Sequence, residues 1–145
     1  MKTKDVTILL VEDNPDDIEL TIRAFKKNNL TNKIIIAKDG EEALDIIFNR
    51  IEKYKEQSKP TLILLDLKLP KVSGLEVLRE IKNNPKTKII PVVVLTSSKE
   101  EKDIIESYNL GVNSYIHKPV DFEKFSKIVL QLGLYWLLLN EIPPE

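Results

Sequence analysis

The chain has 145 residues, of which 42% are hydrophobic and 31% are charged. These values are ordinary for one soluble globular domain with its own core. The 22 basic and 23 acidic residues give a net charge of −1, which does not indicate a nucleic-acid-binding surface, because such a surface needs a basic excess. The absence of cysteine excludes a disulfide framework, thiol catalysis and cysteine-ligated zinc.

No segment predicts secretion or membrane insertion. The segment Met1–Asp5 is short and polar after its methionine, and the apolar stretch that follows, Val6–Val11, has the length of a strand. The longest apolar stretch, Leu132–Leu139, is far too short to cross a bilayer. We therefore expect a cytoplasmic protein, built as a single domain over residues 1–145 with no output domain.

Five apolar runs alternate with five segments of helical spacing. The runs predict strands at Val6–Val11, Lys33–Ala37, Thr61–Leu65, Ile89–Leu95 and Ser114–His117. In chain order, the apolar positions of the helices are Ile18, Ile22 and Phe25; Ala43, Leu44, Ile47 and Ile51; Leu75, Leu78 and Ile81; Ile104, Ile105 and Tyr108; and Phe122, Phe125, Val129 and Leu132. Asn14-Pro15 is typical of a helix start, whereas Asn84-Pro85 and Gly111 are typical of helix ends. The charged stretch Arg50–Lys59 is interpreted as the solvated end of a long second helix plus a loop.

Strands that alternate with helices predict right-handed βαβ units and a parallel sheet. Five of each suit the flavodoxin-like (βα)5 doubly wound fold with strand order 2-1-3-4-5. Ligands of such folds bind beyond the carboxyl ends of the strands. Asp66 directly follows the apolar run Leu62–Leu65, and a carboxylate there needs a partner because its burial is costly.

Polar side chains stand at the ends of four of these strands: Glu12 and Asp13, Asp66, Thr96, and Lys118. Each has an ordinary structural explanation, since acids cap helices and lysines precede turns, but all of them at one sheet edge favour a site. Clustered carboxylates repel one another, and Mg²⁺ relieves that repulsion while keeping positions for a phosphoryl group. A lysine and a hydroxyl suit phosphoryl oxygens, and an aspartate can become an aspartyl phosphate.

These segments resemble the receiver domain of response regulators, the phosphoacceptor module of two-component signalling. The matching segments are Ile8–Asn14, Ala37–Ala43, Leu64–Pro70 with Gly74, Pro91–Ser97 and Ser114–Pro119. They cover nearly the whole chain in family order. The region up to Pro60, the stretch Leu78–Pro85 and the tail Tyr135-Trp136 are similar to stand-alone regulators paired with phytochrome-type and related sensor kinases.

The resemblance implies a metal-assisted acceptor site. Asp66 would accept the phosphoryl group from a phosphohistidine of a sensor histidine kinase. Asp13 would bind Mg²⁺ directly, Glu12 would bind it through water or position it, and the backbone carbonyl of Lys68 would be a further ligand.

The resemblance also implies a switch. Lys118 and Thr96 would each bind a phosphoryl oxygen, and Tyr115 would move with Thr96. Lys118-Pro119 would be a cis peptide. Three residues depart from the common family pattern, namely Glu12 where aspartate is commoner, Ser97 where alanine is usual, and Lys68 with a long cationic side chain at the mouth of the site.

The end of the last helix, Leu134–Leu139, is apolar on all sides. Such a segment must bury more than one face. It either folds over its own core or forms a homodimer, and we favour the dimer with Tyr135, Trp136 and Leu138 as anchors.

The leading interpretation is a phosphorylation-switched regulator of a phosphorelay that changes partners and is not an enzyme. A phosphate shuttle or sink remains open. An aspartate-nucleophile phosphatase would carry a second acid where Lys68 stands, and an unphosphorylated scaffold would not need Asp13, Asp66, Thr96 and Lys118 together.

Overall fold

The computed structural model describes residues 6–51 and 59–143 and contains five parallel strands that alternate with five helices. The strands are β1 (Ile8–Val11), β2 (Ile34–Ala37), β3 (Leu62–Leu65), β4 (Val92–Thr96) and β5 (Ser114–His117). The helices are α1 (Pro15–Lys27), α2 (Gly40–Ile47), α3 (Gly74–Asn83), α4 (Glu101–Leu110) and α5 (Phe122–Gly133). The strand order β2-β1-β3-β4-β5 confirms the predicted fold.

The strand register aligns the carboxyl ends at one edge of the sheet. Val11 of β1 stands opposite both Ala37 of β2 and Leu65 of β3. Thr96 of β4 stands opposite His117 of β5. The residues that follow these positions therefore emerge side by side, which is the arrangement that the sequence predicts.

The central strands β1, β3 and β4 are buried along their whole length. Two apolar clusters cover the two faces of the sheet, one with α2 and α3 and the other with α1 and α5. Continuous burial explains why these strands read as unbroken apolar runs rather than alternating ones. Within the described residues, no helix is long and apolar enough to span a membrane.

The start of α1 follows the predicted chemistry. The side chain of Asn14 accepts hydrogen bonds from the backbone N–H groups of Asp16 and Asp17, and Pro15 is the first helical residue. This cap satisfies donors that have no partner inside the helix. It also fixes the direction in which α1 leaves the site edge.

Helix α2 is shorter than predicted. It ends at Ile47, and Asn49 has a φ of 52°, a left-handed conformation that stops the helix. Ile51, predicted on the apolar face of this helix, lies beyond its end and is 43% exposed. The charged stretch Arg50–Lys59 was interpreted as the end of this helix plus a loop. Residues 52–58 of that stretch lie outside the described part of the chain.

Strand β4 begins at Val92 rather than at the predicted Ile89. The Lys82 ammonium donates hydrogen bonds to the carbonyls of Lys88 and Ile90, at 3.0 and 2.8 Å. These carbonyls are thereby taken from sheet pairing, and Pro91 has no N–H to offer. The apolar residues before Pro91 therefore belong to the connection.

Helix α4 forms where predicted, but it packs differently. Ser107 is its buried residue, whereas Ile105 and Tyr108, two of the three positions predicted to mark its apolar face, are more than half exposed. Its N-terminus has no side-chain cap. Helix α4 is thus attached to the core by little apolar contact.

Helix α5 continues into a π-helical segment over Leu134–Leu139. The N–H of Asn140 donates to the carbonyl of Tyr135, five residues earlier, at 2.7 Å. Leu137 is fully buried, and Trp136 packs half-buried against the core cluster beside α1 and α5. Tyr135, Leu138 and Leu139 stay exposed, so the segment covers its own core and also presents an apolar surface.

Replacing Gly74 by alanine should destabilise the fold and disturb the strand end behind Asp66. A Cβ at Gly74 would overlap the carbonyl oxygen of Asp66 and the Cα of Leu67, which are backbone atoms that cannot move alone. We expect a loss of about 1–3 kcal/mol or more in the free energy of unfolding, measured by chemical denaturation. Gly133→Ala is the matched control, because the three atoms nearest to its Cβ all belong to the side chain of Leu30, which can shift without moving the backbone. Equal losses in both variants would contradict this account.

Candidate functional site

The polar residues at four strand ends meet at one edge of the sheet, as predicted. Glu12 follows β1, Asp66 follows β3, Thr96 closes β4 and Lys118 follows β5. Glu12, Asp66 and Thr96 are buried, and the Lys118 side chain is 11% exposed. Buried charges must be paired, so their partners define the site.

The ammonium of Lys118 lies among three carboxylates. It donates to Glu12 Oε1 at 2.6 Å, to Asp17 Oδ2 at 3.1 Å and to Asp66 Oδ2 at 3.4 Å. The backbone N–H of Lys118 donates to the carbonyl of Thr96 at 2.7 Å and ties the residue to β4. Asp17 was not predicted from the sequence; it lies in the first turn of α1, which brings its carboxylate to the strand-end site.

The carboxylate of Asp66 is held on both oxygens. Its Oδ1 accepts a hydrogen bond from Thr96 Oγ1 at 2.8 Å and one from the backbone N–H of Lys68 at 3.1 Å. Its Oδ2 accepts from Lys118. The geometry fixes the orientation of this carboxylate and surrounds it with donors that also suit the oxygens of a phosphoryl group.

Burial and neighbouring charges shift two of these groups. Burial raises the pKa of Glu12 from its ordinary value of 4.5 to about 7, opposed by the hydrogen bond from Lys118 and assisted by the charge of Asp66. Burial lowers the pKa of Lys118, but the hydrogen bond and charge of Glu12 and the charge of Asp66 outweigh it, so the pKa lies above its ordinary value. Lys118 is therefore a permanent cation at physiological pH.

A hydrogen-bonded chain leads from Thr96 towards β5 and α4. The N–H of Ser98 donates to Thr96 Oγ1 at 3.3 Å, and the hydroxyl of Tyr115 donates to the Ser98 carbonyl at 3.0 Å. Ser98 Oγ donates to Asp103 Oδ2 at 2.6 Å. Ser98 and Asp103 were not predicted, and the only sequence signal for them is the hydroxyl-rich strand end before an acidic first turn of α4.

The side chains predicted to bind the metal do not form a closed cluster in the described part of the chain. Asp13 is exposed, and its carboxylate has no hydrogen bond or ion pair within the described residues. Glu12 Oε2 accepts from the N–H groups of Asp13 and Asn14, while its other oxygen binds Lys118. Within residues 6–51 and 59–143, no three acidic, histidine or cysteine side chains converge as a metal cluster.

The donor types nevertheless suit a hard cation. Carboxylate oxygens at Asp13 and Asp66 stand near the edge, and the carbonyl of Lys68 accepts no hydrogen bond from the described residues. Mg²⁺ takes few protein oxygens and keeps several waters. The metal site stays a prediction, with Asp13 as its least committed carboxylate.

The predicted cis peptide at Lys118-Pro119 is wrong. The described residues contain no cis peptide bond, and this one is trans. The trans form is favoured even before proline, and the 2.7 Å bond from the Lys118 N–H to Thr96 forms with it.

A protein-family model and several curated relatives match most of this chain. The model of the response regulator receiver domain matches residues 8–130. The probable methanogenesis regulatory protein FilR2 of Methanothrix harundinacea is 43% identical over 136 residues, which are 94% of this chain and 86% of FilR2. Response regulator Rcp1 of Synechocystis is 43% identical over 94% of this chain and 92% of its own.

Two solved structures are similar over almost their full length. The Mn²⁺-bound form of Rcp1 has a TM-score of 0.88 with 42% identity and covers 96% of this chain and 99% of its own. The phosphorylated cyanobacterial phytochrome response regulator RcpA has a TM-score of 0.90 with 40% identity and covers 99% of this chain and 100% of its own.

The raised pKa of Glu12 predicts a pH-dependent stability. Between pH 4.5 and 7 the folded chain binds more protons at Glu12 than the unfolded chain does, so this contribution is complete below pH 4.5 and is lost as the pH rises towards 7. In metal-free buffer, the free energy of unfolding of the wild type should fall relative to Glu12→Gln, by up to about 1.4 kcal/mol per pH unit. Glu19→Gln, an exposed change on α1, should keep the wild-type slope. Parallel curves for wild type and Glu12→Gln would contradict the shift.

Proposed function

The chain belongs to the response regulator receiver domain family of two-component signalling, and from this premise we propose that Asp66 is the residue that accepts the phosphoryl group. The observation that carries the proposal is the Asp66 carboxylate held between the hydroxyl of Thr96 and the ammonium of Lys118. Asp66, Lys118 and Thr96 form the catalytic group. Lys118 and Thr96 both touch the reacting carboxylate of Asp66 before any phosphoryl group arrives.

The transfer is a substitution at phosphorus. A bond forms between a carboxylate oxygen of Asp66 and the phosphorus, while the bond from phosphorus to the imidazole nitrogen of a donor histidine breaks. The electron pair stays on that nitrogen, and the proton on the other ring nitrogen remains, so neutral imidazole leaves. Lys118 neutralises one phosphoryl oxygen and Thr96 donates a hydrogen bond to another, since catalysis of this reaction is mostly positioning and charge neutralisation.

The proposed cofactor is Mg²⁺. Glu12, Asp13, Asp66 and the carbonyl of Lys68 would hold it, with Glu12 acting through water because both of its oxygens already have partners. When bound, the ion neutralises negative charge shared by the carboxylates and the phosphoryl group. The Mn²⁺-bound form of Rcp1 supports a divalent cation in a similar protein.

The proposed switch is the pair Thr96 and Tyr115. The Thr96 hydroxyl already donates to the acceptor carboxylate, so phosphorylation transfers this bond to a phosphoryl oxygen instead of recruiting a distant side chain. The new position of Thr96 Oγ1 changes its hydrogen bond with the N–H of Ser98. Tyr115 responds because its hydroxyl is bound to the carbonyl of the same Ser98. A ligand shifts an equilibrium only through such differential contacts.

The proposed partner is a sensor histidine kinase, and the relatives support one of phytochrome type. RcpA is described as a phytochrome response regulator, and a bacteriophytochrome response regulator is 51% identical over 94% of this chain with a TM-score of 0.73. We propose a receiver domain that changes partners and assists only its own phosphorylation, without being an enzyme on other substrates. Lys68 occupies the place where an aspartate-nucleophile phosphatase would need its second acid.

Replacement of the acceptor tests this proposal. After incubation with acetyl phosphate and Mg²⁺, wild type should gain the mass of one phosphoryl group, and hydroxylamine should remove it. Asp66→Asn should gain none, because the amide keeps the shape and loses the nucleophile. Asp16→Asn, an exposed change on α1, should gain as much as wild type. A full gain in Asp66→Asn would overturn the assignment.

The apolar surface of Tyr135, Leu138 and Leu139 supports a proposed homodimer through the C-terminal helix. Tyr135 is 51% and Leu139 68% exposed, and two-fold pairing is the commonest closed assembly. Trp136, predicted as an anchor, is half-buried against the core of its own chain. Its contribution to a dimer is therefore smaller than that of Tyr135.

Charge substitution separates the dimer from the packing of one chain. Tyr135→Glu should weaken self-association about tenfold or more in sedimentation experiments without a large loss of stability, because truncating interface anchors commonly costs more than 1 kcal/mol. Tyr108→Glu on α4, where the tyrosine is 55% exposed, is the matched control and should leave association unchanged. Trp136→Glu should lower the melting temperature. A wild-type chain that stays monomeric at high concentration, with and without the phosphoryl group, would refute the dimer.

A further inference from the structure

Resting on the proposed function, we propose that Asp17 restrains phosphorylation by competing with the incoming phosphoryl group for the ammonium of Lys118. Asp17 is a positioning residue in this account, because it acts through Lys118 and does not touch the reacting oxygen. The sequence gives it no special place, since it is one of two acids in the first turn of α1. Its assignment comes from the 3.1 Å contact with Lys118 Nζ.

The donors of Lys118 are fully used. An ammonium has three N–H donors, and Lys118 has three carboxylate partners, Glu12, Asp17 and Asp66. A phosphoryl oxygen that approaches Asp66 is also an anion and needs a donor of its own. Until the new bond has formed, Asp66 keeps its charge and its share of the ammonium. One of the two remaining partners must therefore yield.

Exposure decides which partner yields. The side chain of Glu12 is 5% exposed and makes the shortest bond to Lys118 at 2.6 Å, so its loss would leave a buried acid without its cation. The side chain of Asp17 is 34% exposed, and water can replace the ammonium there at small cost. Asp17 is thus the partner that an incoming phosphoryl group displaces, and its carboxylate opposes the approach until it does.

The neighbouring Asp16 provides a control for charge. Asp16 and Asp17 both lie in the first turn of α1 and both interact favourably with the helix dipole. Asp16 is exposed, and no ion pair joins it to another described residue. Asp16→Asn therefore removes the same unit of charge from the same helical turn, while the three bonds of Lys118 stay in place.

The kinetic experiment measures the initial rate of phosphorylation against acetyl phosphate concentration at fixed Mg²⁺. Asp17→Asn should lower the KM for acetyl phosphate about twofold to fivefold relative to Asp16→Asn, which is the range that a partly exposed ion pair spans. The saturated rate should change less, because the competition is for binding of the phosphoryl oxygens. Asp17→Glu keeps the carboxylate and should return the KM close to wild type. Equal KM values for Asp17→Asn and Asp16→Asn, or a higher KM for Asp17→Asn, would overturn the proposal.

A second measurement needs neither donor nor metal. In ¹⁵N NMR spectra, the Lys118 ammonium protons should exchange with solvent faster in Asp17→Asn than in wild type and should be unchanged in Asp16→Asn. Unchanged exchange in a folded Asp17→Asn would overturn the restraint. If wild type itself took up no phosphoryl group while the NMR difference was present, the proposed function would fail and the competition with it. That result differs from an inference that fails alone, in which wild type is phosphorylated and the two variants behave alike.

Discussion

The ammonium of Lys118 is the interaction on which the rest of the site depends. Two buried acids, Glu12 and Asp66, approach one another at the ends of β1 and β3, and without a cation between them their repulsion would oppose this edge of the fold. The cation comes from the end of β5, two strands away from β3 in the sheet. The parallel order of the strands, the burial of their ends and the length of a lysine side chain are thus parts of one constraint.

The structural features that local sequence determines were predictable, whereas the long-range contacts of Lys118 were predictable only in part. Strands and helices follow from local patterns, such as the continuous apolar run of β3 and the Asn14-Pro15 cap of α1. The strand order follows from the alternation of strands with helices, which suits a doubly wound parallel sheet. The clustering of carboxylates at the strand ends was predictable, because the carboxyl ends of parallel strands meet at one edge of the sheet. Asp17 was not, because its contact with Lys118 joins residues 101 positions apart and nothing in its local pattern separates it from Asp16.

Backbone conformation accounts for the other differences between the predicted and the observed structure. Helix α2 stops at a left-handed Asn49, a conformation that asparagine tolerates but that its sequence does not require. The π-helical turns after Gly133 depend on tertiary packing, since Leu137 is drawn into the core there. The cis peptide was expected only from the family resemblance, whereas the intrinsic preference of a bond before proline is for the trans isomer that the structure has. Such features are decided by contacts that a local pattern does not contain.

Pro119 has a consequence beyond its place next to Lys118. Strand β5 lies at the edge of the sheet and has only four residues, and an edge strand with free backbone groups is a template on which further strands can assemble. Proline has no N–H and ends such a template. The same dipeptide therefore supplies the cation of the site and limits strand pairing beyond the end of β5, which is one of the two edges of the sheet.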